Sequence, residues 1–237
     1  MKTYRKTAIV VGVLFIAATV LSLISSSILG SIIGTPNYLT NVSANGNQTI
    51  LGALLELAAA ISVMLIPAVM FPVLKQQSEG MALGYFGFRI LEAVTLIVGA
   101  ISSLLLLTLS QQYVNAGAPA VSSFQISGAL LLGARNWAFP LNPLVFGPGA
   151  LMLYSVMYQA NLIPRWLSVW GLIGAAMVFV FGLLGMFGNI LIFLAIPIAV
   201  QEMVMAVWLI VKGFQPSASA AGSAKGFHPS TSASELA

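Results

Sequence analysis

The chain has 237 residues, of which 59% are hydrophobic and only 6% charged, with nine Lys and Arg against five Asp and Glu for a formal net charge of +4. Soluble domains carry about 25% charged residues, so a soluble globular fold is excluded and most of the surface must face lipid. The positive charges are scattered singly, which removes nucleic acid as a partner, and the lack of cysteine removes disulfides, thiol chemistry and Cys-type metal sites.

At roughly 20 apolar residues per span, the length fits one all-α bundle, a polytopic integral membrane protein with six transmembrane helices. Apolar runs predict spans over residues 7–29, 50–72, 82–108, 143–158, 166–186 and 190–211. The first follows Lys2, Arg5 and Lys6. Its apolar stretch is too long for a signal peptide and no A-x-A pattern follows, so an uncleaved span is expected. Residues 127–139 are a shorter apolar stretch, interrupted by Arg135 and Asn136 and followed by Pro140, Pro143 and Pro148. Proline removes a helical hydrogen bond and distorts the helix. The stretch is therefore expected to be a short interfacial or re-entrant helix leading into a proline-broken fourth span. A seventh span here would carry Arg165 and Lys212 to the outer side, against the charge rule.

Trp166 and Trp170 beside Arg165 read as an interfacial anchor. Gly171, Gly174, Gly182 and Gly185 offer close helix contacts in the fifth span. Residues 1–214 are expected to form the bundle, and residues 215–237, rich in Ser, Ala and Gly, a disordered cytoplasmic tail. Lys2, Arg5, Lys6, Lys75, Arg165, Lys212 and Lys225 fall on one side, whereas residues 35–49, 110–125 and the turn at Gly188 and Asn189 carry no Lys or Arg. Positive residues stay on the cytoplasmic side, so both termini are expected there.

Five ionisable residues fall inside the apolar segments: Glu56, Arg89, Glu92, Arg135 and Glu202. A charge near the bilayer centre costs about 2.5–3.5 kcal/mol on insertion scales, so it is usually paired, turned inward and tied to function. At 1.5 Å per residue, Arg89, Glu92 and Glu202 share a layer at mid-to-inner depth, and Glu56 and Arg135 a second layer nearer the outer face. Arg89 and Glu92, three apart, lie on one helical face, which Tyr85, Gly99 and Ser103 extend. Gln201 and Glu202 are expected to face it, with Asn142 and Tyr154 lining the same cavity. Three carboxyls against two guanidiniums leave one acid unmatched. Glu202, with no basic neighbour on its own helix, is the expected proton carrier or cation holder. The opposing reading is that Arg–Glu pairs merely set which helix packs on which, with little net gain in stability.

The inventory excludes much chemistry. The sequence has no aspartate, and its one histidine, His228, is in the tail. Aspartyl proteolysis, a Ser–His pair and an HExxH zinc site are thereby removed. No lysine lies mid-span, and no phosphate loop is present. No metal or cofactor is expected, and an enzyme would have to work with glutamate, tyrosine and arginine alone.

Four stretches carry a family resemblance: residues 82–93 (ALGYFGFRILEA), 163–174 (IPRWLSVWGLIG), 197–203 (PIAVQEM) and 208–214 (WLIVKGF). Over about residues 5–214 the chain resembles the DUF4386 group of small bacterial integral membrane proteins. The resemblance implies a bacterial inner (plasma) membrane location and a multi-span helical fold, with no mechanism attached. The expected partners are the lipid bilayer and a small solute or proton bound by Arg89, Glu92, Glu202, Tyr85, Gln201 and Asn142, with Glu56 and Arg135 as an outer ion pair. The alternative is a membrane-embedded accessory or sensor subunit, joined to a membrane protein partner or to its own copies, whose buried ion pairs are purely structural.

Overall fold

The computed structural model describes residues 2–116 and 121–215. Among them the chain is helical without strands: α1 (Lys2–Ile33), α2 (Tyr38–Ala44), α3 (Gly46–Leu74), α4 (Glu79–Ala116), α5 (Val121–Gln159), α6 (Arg165–Met186), a 3-10 turn (Ile192–Leu194) and α7 (Ile196–Val211). Six of the helices, all but α2, are long and apolar enough to cross a membrane. The all-α, six-span bundle read from the sequence is the observed fold. Of the expected tail, everything beyond Gln215 lies outside the described residues.

Each span packs on the next in chain order, and α7 returns to α1, so the six form a closed ring. Short connections force the spans to alternate in direction. Lys75, Glu79, Arg165 and Lys212 therefore gather with Arg5 at one end, here termed the basic end. Arg5 Nη1 donates to the Val211 carbonyl there (2.9 Å), and the Gln215 amide donates to the Leu162 carbonyl (2.8 Å). The opposite, uncharged end is partly covered by α2, which packs on α4.

Residues 127–139 are not a separate short helix, and the fourth span is not broken. One helix runs from Val121 to Gln159 with Pro140, Pro143 and Pro148 inside it. Proline in a membrane helix is tolerated where a neighbour covers the freed backbone groups, and α6 does so here. A Cβ on Gly182 would stand 2.8 Å from the Leu144 amide nitrogen and 3.1 Å from the Pro140 oxygen. Phe139 and Phe181 add an edge-to-face contact beside it. Glycine lets the two backbones close over the proline defect.

Helix lengths shape the interior. The α4 and α5 helices have 38 and 39 residues, against 22 for α6, or about 57 Å against about 33 Å at 1.5 Å per residue. Beyond the outer end of α6, α4 and α5 share a small apolar core with α1 and α2 around Leu29, Val42 and Leu106. The largest core fills the basic half, around Met70, Leu74, Leu153, Met157 and Leu167. Polar side chains lie between these two cores.

Candidate functional site

The face of α4 that points into the ring reads Tyr85, Arg89, Glu92, Thr95, Gly99, Ser103, all three or four residues apart and hence stacked one turn above another. Arg89 is the centre of the site. Its Nη1 donates to Glu92 Oε2 (2.9 Å), its Nη2 to Glu202 Oε1 on α7 (3.2 Å), and its Nε to the Tyr85 hydroxyl (3.1 Å). Three rings enclose the guanidinium, with centroids at 4.9 Å (Phe146), 5.4 Å (Tyr85) and 5.5 Å (Phe15), within the ~6 Å reach of cation–π attraction. Residues from α1, α4, α5 and α7 thus converge on one cation.

Two carboxylates share that cation, and each gives it one oxygen. No described hydrogen bond reaches Glu92 Oε1 or Glu202 Oε2. Neither atom is among the fully enclosed polar atoms without a partner, which are Ser110 Oγ, Ser168 Oγ and Trp208 Nε1. Both oxygens therefore keep accessible surface. At about 15 Å from the basic end, counted at 1.5 Å per residue along α4 or α7, the cluster sits near the middle of a hydrocarbon layer about 30 Å thick.

About 15 Å further along α4 lies a balanced pair. Arg135 Nη1 on α5 donates to Glu56 Oε2 on α3 (2.9 Å), to the Gly99 carbonyl (2.8 Å) and to Ser103 Oγ (2.8 Å). A Cβ on Gly99 would stand 2.6 Å from Glu56 Oε1, so only glycine leaves room for this contact. Between the two layers, Asn142 Nδ2 donates to Thr95 Oγ1 (2.8 Å), and Thr95 Oγ1 donates to the Glu92 carbonyl (2.7 Å).

Of the residues singled out from the sequence, Arg89, Glu92, Glu202 and Tyr85 meet in one cluster, and Glu56 and Arg135 in another. Asn142 lies between them rather than in the first. Gln201 does not touch Arg89. It accepts a bond from the Tyr154 hydroxyl (2.7 Å) and donates to the Leu167 carbonyl (3.1 Å), linking α5, α6 and α7 on the basic side. Phe15, Phe146 and Thr95 were not singled out. The phenylalanines read as ordinary core, whereas Thr95, on the same helical face as Arg89 and Glu92, had a detectable signal. Among the described residues no three His, Cys, Asp or Glu side chains are grouped to hold a metal ion.

A family model described as "Domain of unknown function (DUF4386)" matches residues 10–213. No curated protein and no solved structure gives a significant match.

Proposed function

The chain belongs to the DUF4386 family, and we propose that this member binds a proton or a small, singly charged cationic solute at Arg89, Glu92 and Glu202 and moves it across the membrane. The observation that carries the reading is the unequal sharing at Arg89, where one guanidinium faces two carboxylates and each acid keeps an open oxygen. A buried surplus of negative charge is costly unless a positive charge joins it, which makes a proton or a cation the natural third member. Its depth suits alternating access, since transporters hold their coupling ions near the midplane.

The basic end is placed on the cytoplasmic side of a bacterial inner membrane by the distribution of Lys and Arg. Glu56 and Arg135 then stand toward the outer side, where a neutral pair can line the route without holding a cation. The test is to reconstitute the protein and compare proton and sodium flux for wild type, Glu202→Gln and Glu92→Gln. Flux lost in folded variants is expected, and equal flux in all three overturns the reading.

A second reading, an accessory or sensor subunit with purely structural ion pairs, draws on the aromatic enclosure of Arg89 and on the outer pair, whose charges balance. Under it, the carboxylates can be replaced with apolar side chains together with Arg89 without functional loss, and a stoichiometric membrane partner co-purifies.

A further inference from the structure

We infer that the Arg89 cluster is reached from the uncharged end alone, along a file of polar groups on α4 and α5, and that Tyr154 with Gln201 seals it on the basic side. The inference deepens the proposed function by adding a route and a gate to the same site.

Residual exposure differs on the two sides of Arg89. Toward the uncharged end the side chains of Glu92, Glu202, Glu56 and Arg135 keep 9%, 14%, 13% and 17% of their surface, and Thr95 and Asn142 are half-buried. Toward the basic end Tyr85, Tyr154 and Gln201 are completely buried, as are Met70 and Met157 below them. A small probe therefore touches the acids while the basic side is closed by tightly packed side chains.

Chemistry along the file fits a positive charge. Asn142 uses Nδ2 on Thr95, so its amide oxygen stands free, as do Glu56 Oε1, Glu92 Oε1 and Glu202 Oε2. These acceptors run from the outer pair to the cluster. The Asn142–Thr95 bond crosses the file and must open for an ion, or relay for a proton.

The seal is built from one ring and one amide. Tyr154 lies against Gly171, where a Cβ would come within 2.5–2.7 Å of three ring carbons. Its hydroxyl fixes Gln201, which in turn holds the α6 backbone at Leu167. Three helices close here through two hydrogen bonds.

The chain has no cysteine, so single cysteines can be placed without background. Thr95→Cys and Ser103→Cys probe the file, Ala82→Cys the basic-side core, and Asn47→Cys and Lys75→Cys mark the two surfaces. In sided proteoliposomes an impermeant, positively charged methanethiosulfonate is added to one face at a time. Thr95→Cys and Ser103→Cys should react at least tenfold faster from the face that labels Asn47→Cys. Ala82→Cys should stay unmodified from both faces, and adding Tyr154→Ala should open Thr95→Cys to the Lys75 face. Equal rates from both faces, or no reaction at both file positions, overturns the inference. The two file positions stand in for each other if one variant fails to fold. Labelling reads access without flux, so it can fail while the transport reading survives, and the converse.

Discussion

Glu202 on α7 places its Oε1 3.2 Å from Nη2 of Arg89 on α4, across 113 positions of sequence. Arg89 already holds Glu92, three residues along its own helix, at 2.9 Å. The Glu92 bond is local to α4. The bond to Glu202 ties the last span to the third and puts a second negative charge on the same guanidinium.

Removing the shared cation should therefore be worse than removing either acid. Arg89→Leu leaves two carboxylates facing each other in a low-dielectric layer, a loss of about 3–5 kcal/mol on the scale for breaking a buried pair. Arg89→Leu combined with Glu92→Leu and Glu202→Leu should recover most of that stability, because no charge is stranded. Thermal unfolding of the purified variants in detergent checks both.

Gly99→Ala should weaken the outer pair without touching either charged residue. The added methyl would meet Glu56 Oε1 at 2.6 Å and Arg135 Nη1 at 3.3 Å, and overpacking of this kind costs about 1–3 kcal/mol. In the background of Glu56→Ala, which clears the space, the same change should cost much less. A double-mutant cycle on unfolding free energy measures that coupling.

Gly182→Ala should disturb the α5–α6 contact, because the Leu144 amide nitrogen 2.8 Å away belongs to the backbone and cannot swing aside. Gly80→Ala is the control. Nothing lies within 4 Å of its Cβ, and replacing a helical glycine with alanine is favourable by up to about 1 kcal/mol. The two substitutions should shift the unfolding midpoint in opposite directions.

How far the sequence reading reached depended on whether a feature was local. Six spans and their ends were legible because a bilayer demands long apolar runs, and the charged residues sort to one end of them. Arg89 and Glu92 were legible as neighbours from their spacing alone, and rough depth along each span brought Glu202 and the Glu56–Arg135 pair to the right levels. The continuity of α5 was not legible. The cost of Pro140 and Pro143 is written locally, whereas the compensation comes from Gly182 on a different helix. The α2 helix was missed because seven mostly polar residues carry no span-length signal. Phe15 and Phe146 escaped because a ring that encloses a guanidinium looks, in sequence, like a ring that fills a core. Gln201 was placed on the correct face, but toward Arg89 rather than Tyr154, since side-chain reach across three helices is set by packing.

The central claim is that the paired acids at Arg89 take up one positive charge. Infrared difference spectra of the reconstituted protein, recorded while pH or sodium concentration is stepped, report carboxyl groups directly. The account predicts one carboxyl per chain changing state in wild type, with that signal absent in folded Glu202→Gln or Glu92→Gln. Identical spectra for wild type and both variants would contradict it.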